Sequence, residues 1–164
     1  MHIINDINGG SEELFKLTKK YNAGLFLMHK RGTPKDMQKK LNPRANMVKE
    51  FDKFIEKRLK ILDKMKFNLK KVWFDPGIGF GKTLNQNLQL MRSLSKYSHK
   101  NLQILLGSSR KSWINFIDPS NADQRIGGSL ASITHALQQN VNTFRIHDVQ
   151  ETNQMIKVLK ALNK

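Results

Sequence analysis

Five short runs of the 164-residue chain are nearly continuous in apolar, β-favouring residues. They are IINDI (3–7), LFLMH (25–29), KVWFD (71–75), LQILLG (102–107) and TFRIHDV (143–149). Runs of that length without alternation belong to strands buried on both faces, as in a parallel sheet. Between them the apolar period lengthens to that of a helix. Ser11 is placed to cap SEELFKLTKKY, with Glu12 and Glu13 in the first turn, where the helix dipole favours acids. From Ala45 to Lys66 the stripe is Met47, Phe51, Phe54, Ile55, Leu59, Leu62 and Met65. Leu84, Leu88, Met91 and Leu94 predict a third helix, and Leu130, Ile133 and Leu137 a fourth. Met155, Ile156, Leu159 and Leu162 predict the last. These Met and Phe residues read as core, not as a cofactor box. The order is strand then helix, five times, which argues for a parallel sheet with right-handed crossovers. No linker, low-complexity stretch or strong sequence repeat divides the chain, so 1–164 is expected to form a single domain.

Composition narrows the class. Hydrophobic residues make up 38% of the chain, and no apolar run approaches the roughly 18 residues of a membrane helix. The start, MHIINDINGG, reads as a strand with no leader before it. The absence of cysteine excludes a disulfide framework and thiolate metal sites, and fits a cytoplasmic location. The formal charge is +16, from 29 Lys and Arg against 13 Asp and Glu, which invites a nucleic-acid reading. The lysines, however, are scattered as pairs (Lys19-Lys20, Lys39-Lys40, Lys70-Lys71) at helix ends or turns. Solvated helix faces account for them, and a positive field also favours a small anionic substrate.

Each strand brings polar residues to its C-terminal end. Asn5 and Asp6 end the first, Met28 and His29 the second, and Asp75 the third, ahead of Pro76-Gly77. Ser108 and Ser109 follow the fourth. Arg145 and His147 lie two apart in the fifth run and so on one face of a strand. Polar groups gathered at one end suit a β/α-barrel active site, and a doubly wound sheet places ligands there too.

The stretch WFDPGIGFGKT (73–83) ends as a nucleotide-binding P-loop ends. A P-loop needs a glycine with four residues between it and Gly81. That position is Pro76, with fixed φ and no N–H for a phosphate. The dinucleotide fingerprint also fails, because its third glycine falls on Lys82. A structural turn is the plain alternative. Asp75 is the specific clue: a carboxylate ending an apolar strand is either paired or set to receive a ligand's N–H groups. In GSSRKSW (107–113), Gly107 permits close approach and Ser109 is placed to cap a helix. That would gather Arg110, Lys111 and Ser112 at a positive helix start, an anion site, or else an ordinary basic helix start. In FRIHD (144–148), Arg145 offers a fork to phosphate and His147 a tunable donor. His29, His99 and His135 read as structural or surface residues. No spacing makes a metal site or a Ser-His-Asp triad.

Six of these segments, in order along the chain, together resemble the dihydropteroate synthase family. They are INDINGG (4–10), LFLMHKRGTPKDMQ (25–38), FDPGIGFGK (74–82), LLGSSRKSWI (105–114), RIGGSLA (125–131) and FRIHDV (144–149). The resemblance implies a (β/α)8 TIM barrel that joins p-aminobenzoate to dihydropterin pyrophosphate and releases pyrophosphate. Mg2+ would assist through the substrate pyrophosphate, with no metal ligand from this chain. Asn5 and Asp75 would hydrogen-bond the pterin ring, and Lys111 its carbonyl edge. Met28 and Phe80 would pack near the pterin, and Gly107 would floor its pocket. Arg145 and His147 would grip the leaving pyrophosphate, and Ser112 would meet the carboxylate of p-aminobenzoate. Lys111, Asp75, Arg145 and His147 form the implied catalytic set, in a dissociative reaction where pyrophosphate leaves before the amine attacks.

The resemblance covers only the last five of the family's eight βα units. The family's first-strand Asn near Mg2+, its Thr-Arg loop and its third-strand Asp have no counterpart here. Five units cannot close an eight-stranded barrel, so a partial barrel with two open edges is expected. A separate N-terminal half or a homo-oligomer would complete it, and this chain alone is expected to lack synthase activity. The alternatives are a non-catalytic half-barrel that binds a pterin or self-associates, and, last, a nucleic-acid-binding protein.

Overall fold

A computed structural model describes residues 1–32 and 41–163. The Lys39-Lys40 pair and the TPKDMQ part (33–38) of the second motif lie outside the described residues. The five apolar runs are strands: β1 (Ile3–Asp6), β2 (Gly24–Met28), β3 (Val72–Asp75), β4 (Gln103–Leu106) and β5 (Thr143–Phe144). All neighbours pair in parallel, in the order β1-β2-β3-β4-β5. Each new strand joins the same side of the last. A doubly wound sheet reverses direction at a switch point, so this order is that of a barrel wall. β1 and β5 form the two edges of the described sheet.

The crossovers carry helices α1 (Glu12–Lys20), α2 (Met47–Lys64), α3 (Leu84–Arg92), α4 (Ser95–Ser98), α5 (Ser112–Asn115), α6 (Ile126–Leu137) and α7 (Val149–Leu162). Ser11 caps α1 by accepting from the Leu14 N–H, as its position predicts. Asn46 does the same for α2, through the Lys49 N–H. Three expected features differ. The helix drawn through Leu94 breaks at Ser93, whose hydroxyl and N–H both turn back to the Leu90 carbonyl. Leu94, fully buried, therefore sits between α3 and α4. The fifth strand is two residues long, because β4 ends at Leu106 and its carbonyl takes the Arg145 N–H as the last rung. The stripe of α7 is only half covered: Met155, Ile156 and Leu159 are partly buried, and Leu162 is exposed.

The core lies between the sheet and its helices. Leu25, Leu27, Phe74, Ile104 and Leu106 from the strands meet Phe15, Met47, Phe51, Leu62 and Leu90 from the helices. Phe51 of α2 is fully buried and meets the Tyr97 ring edge to face, centroids 5.0 Å apart. It docks α2 and α4 together behind β3. Phe51→Ala should therefore lower stability by about 3–5 kcal/mol, the usual cost of emptying a buried aromatic site. A shift of the urea midpoint with unchanged slope would register that loss.

Candidate functional site at the strand ends

Asp75 closes β3 with no exposed surface. Its register partner is Met28, the last residue of β2, and the His29 N–H donates to its backbone carbonyl. The side chain is committed on both oxygens. The Gly77 N–H donates to Oδ1 at 2.7 Å, and Arg145 Nη2 donates to Oδ2 at 2.8 Å. Gly77 reaches this position with φ +62°, and a side chain there would put its Cβ 2.0 Å from the His29 carbonyl oxygen. Only glycine fits both constraints.

Arg145 spans the site. Besides Asp75, it donates from Nη1 to Asn5 Oδ1 at 3.1 Å, so one guanidinium links the ends of β1, β3 and β5. It lies directly over Gly107, where a Cβ would stand 2.6 Å from Nη2. Gly107 thus floors the site, with Arg145 lying on that floor. Arg145 and His147 sit beyond the strand, not on one face of it. What brings them in is the last rung to Leu106 and the Ser109 hydroxyl, which accepts the His147 N–H and meets Nδ1 at 3.0 Å. Ser109 therefore holds His147 and does not cap a helix. The cap residue of α5 is Lys111, and α5 is a single turn of four residues. The expected helix-dipole anion site is replaced by side-chain cations.

Lys111 turns inward. Its Nζ donates to the Ile78 carbonyl at 2.6 Å and stands 4.5 Å from the Phe80 ring centre. Burial pushes its ammonium down to about 8, opposed by Asp75 and reinforced by Arg145. Phe80 is half-buried beside it, while Met28 is buried beneath Gly77. Ser112, first in α5, is exposed, as is Asn5. Arg110 has φ +56° and pairs with Asp148, and Arg125 holds the Arg110 carbonyl at 3.0 Å. This brace fixes the loop between β4 and α5 at the base of α7.

One residue escaped prediction. Lys82 is 3% exposed, and its Nζ donates to three backbone carbonyls, of His29, Gly77 and Phe80, at 3.2, 2.9 and 3.0 Å. Thr83 caps α3 in a reciprocal box with Gln86. The Gly-Lys-Thr ending is thus spent inside the protein. No local sequence signal marks a lysine folded back on its own loop. The site as a whole has one carboxylate, Asp75, with Arg145 and Lys111 beside it and His147 held at Ser109. It suits a ligand with N–H donors at one end and negative charge at the other.

The profile of the pterin binding enzyme family matches residues 1–147. The chain belongs to this family. It is 35% identical over 162 residues to the dihydropteroate synthase of Escherichia coli, covering 98% of this chain and 57% of that protein. Among solved structures, the dihydropteroate synthase of Yersinia pestis, in a sulfonamide drug complex, superposes with a TM-score of 0.90 at 32% identity. That match covers 99% of this chain and 59% of the other. The dihydropteroate synthase of Thermus thermophilus, solved with 6HMPPP and with 4-aminobenzoate, gives TM-scores of 0.88 at 30% identity. Those matches cover 99% of this chain and 65% and 66% of the others. The chain spans about half the length of the curated relatives it matches. The likeness fixes the half-barrel of this pterin binding enzyme chain as part of a TIM-barrel architecture.

His29 has the structural role expected of it. It is buried against Phe51 and Phe54, and burial pushes its imidazole down to about 3, with Lys82 and Arg31 adding to the effect. Between pH 3 and the ordinary 6.5, the unfolded chain binds a proton that the folded chain refuses. Stability should fall as pH drops through that window, by up to about 1.4 kcal/mol per pH unit from this residue alone. His29→Gln should flatten that part of the slope in urea titrations run from pH 6.5 down to pH 4.

Proposed function

We propose that this chain forms the pterin- and pyrophosphate-facing part of a dihydropteroate synthase. The reaction condenses dihydropterin pyrophosphate with p-aminobenzoate to give dihydropteroate and pyrophosphate. The observation that carries the reading is the fully buried Asp75 carboxylate at a strand end, held by a removable partner, Arg145. The pyrimidine edge of a pterin offers the same pair of N–H donors that the guanidinium offers. On this reading the pterin replaces Arg145 on Asp75 and on Asn5, and Lys111 donates to the ring carbonyl. Arg145, released, joins His147 at the pyrophosphate.

The C–O bond to pyrophosphate then breaks, and the leaving group takes the electron pair. Arg145, Lys111 and His147 face the charge that develops, so they lower the barrier by preorganised electrostatics. The p-aminobenzoate nitrogen attacks the exocyclic carbon of the resulting pterin cation and loses a proton. Ser112, exposed at the start of α5, is placed to meet the p-aminobenzoate carboxylate. Among the described residues no three His, Asp or Glu side chains converge on a metal-sized site, and Asp75 is engaged on both oxygens. The described residues therefore do not fit Mg2+, and any Mg2+ would travel with the pyrophosphate.

The open edges at β1 and β5 support a complement, from an N-terminal half or from further copies of the chain. We take 1–164 as one domain of that assembly. No described helix is long and apolar enough to cross a membrane, and the cysteine-free composition supports a cytoplasmic place. Scattered surface lysines leave nucleic-acid binding without a patch to carry it.

Calorimetry of the 164-residue chain with dihydropterin pyrophosphate tests the reading. Wild type should bind. Asp75→Ala should lose about 10- to 100-fold in affinity, the range for a hydrogen bond to a charged group, with its circular dichroism unchanged. No binding by wild type would sink the proposal. Synthase turnover by the chain alone would overturn the need for a complement.

A further inference from the structure

The Gly-Lys-Thr ending of the 73–83 stretch finds no use in the reaction just described. Its lysine is the most deeply buried amine of the site. Lys82 Nζ makes three hydrogen bonds to three carbonyls, and an ammonium has three N–H groups to give. A neutral amine has only two. The carbonyls belong to two different βα loops. His29 follows β2, while Gly77 and Phe80 lie in the loop that follows Asp75. The same Gly77 peptide gives its N–H to Asp75 Oδ1 and its oxygen to Lys82. Phe80, held by its carbonyl, presents its ring to Lys111. Ile78, between them, accepts from Lys111.

We infer that Lys82 is a positioning residue: its ammonium knots the two loops together and is the fixed counter-charge of Asp75 while Arg145 is away. The inference rests on the pterin reading only for what Asp75 binds. Its structural part stands on the unliganded chain. When Arg145 leaves Asp75 for a ligand, a buried carboxylate would lose its only ion-pair partner among the described residues. Lys82 cannot leave, because all its donors are held by carbonyls of the two loops. The charged groups that face it are Asp75 and Glu50, which favour the ammonium, and Lys111 and Arg31, which oppose it. The His29 ring also lies in its field. Burial is the largest influence and brings the ammonium down to about 7.

The test uses the full chain in four forms: wild type, Lys82→Met, Lys82→Arg and, as an off-site control, Lys96→Met. Lys96 lies on α4, where it pairs with Asp52. Affinity for free pterin is read from its fluorescence at pH 6. Lys82→Met should bind at least tenfold more weakly with helix content intact. Lys82→Arg should recover at least threefold, and Lys96→Met should match wild type. Wild-type affinity in Lys82→Met would overturn the inference.

A second measurement needs neither ligand nor a folded Lys82→Met. The lysine side-chain carbons are followed by NMR from pH 5 to pH 10 in wild type and Asp75→Asn, with Lys82→Arg assigning the resonance. Asp75→Asn should move the Lys82 midpoint down from about 7, because Asp75 favours the ammonium. An unmoved midpoint would also overturn the inference. If wild type binds no pterin, the pterin reading fails by itself, and the NMR titration alone decides the role of Lys82.

Discussion

A carboxylate with no exposed surface must be met by donors on all sides, and Asp75 places that demand at the centre of the molecule. Much of the local structure answers it. The chain must turn sharply after β3 so that the Gly77 N–H points back, which requires positive φ and no side chain. The sheet must wind in one direction so that β1, β3 and β5 end on one side of the molecule. Arg145 must then cross the site, which requires a bare glycine at 107 beneath it. An ion pair with its carboxylate buried is poor evidence for stability, since desolvation offsets much of the attraction. On the proposed reading its value lies in being exchangeable: a ligand that offers equivalent donors would meet a carboxylate already desolvated and aimed.

The positive charge of the chain divides into two populations. Most of the described lysines stand on helix surfaces, where water screens them and single pairs such as Lys96 with Asp52 contribute little. Lys82 and Lys111 are the contrasting pair. Lys82 is buried and Lys111 half-buried; both bond backbone carbonyls, and burial lowers both. Their partners differ in consequence. Lys82 has three acceptors and is locked, whereas Lys111 has one carbonyl, at Ile78, and a ring face, and so keeps donors to spare. The locked cation holds the loop, and the other is free to meet a ligand.

The sequence made the strands, their order of appearance and the polar residues at their ends legible, because buried strands and capped helices have local signatures. Ser11 at the start of α1 and the Met47 to Met65 stripe of α2 are examples. Asp75 stood out for a physical reason, as a carboxylate ending an apolar run. What stayed hidden depends on contacts across long stretches of chain. Arg145 meets Asp75 70 residues away and Asn5 140 residues away. Alternation alone put Arg145 and His147 on one face of a strand, but a strand needs a neighbour, and β4 ends at Leu106. Ser109 had the residue type of a cap and became a support for His147. Spacing ruled Lys82 out as a P-loop lysine but gave it no other role, because its side chain folds inward onto carbonyls that no local pattern marks.

The open side of the sheet bears on the chemistry as well as on the fold. Asn5 is exposed, and the Arg145 side chain is 38% exposed, so water reaches the cations on the β1 side. Hydrogen bonds and charges aimed at a developing anion are worth most where water is excluded, because each is then unscreened. Asp75 and Lys82 already have that environment, and half-buried Lys111 has part of it, supplied by this chain's own loops. Arg145 and Asn5 do not. On the proposed reading, recognition of a pterin edge is built largely within these residues, while stabilisation of a departing pyrophosphate calls for a wall beside β1 and β5. A fold that keeps its acceptor dry and leaves Arg145 wet is equipped to bind before it is equipped to catalyse. Covering the two edges is what would turn one into the other.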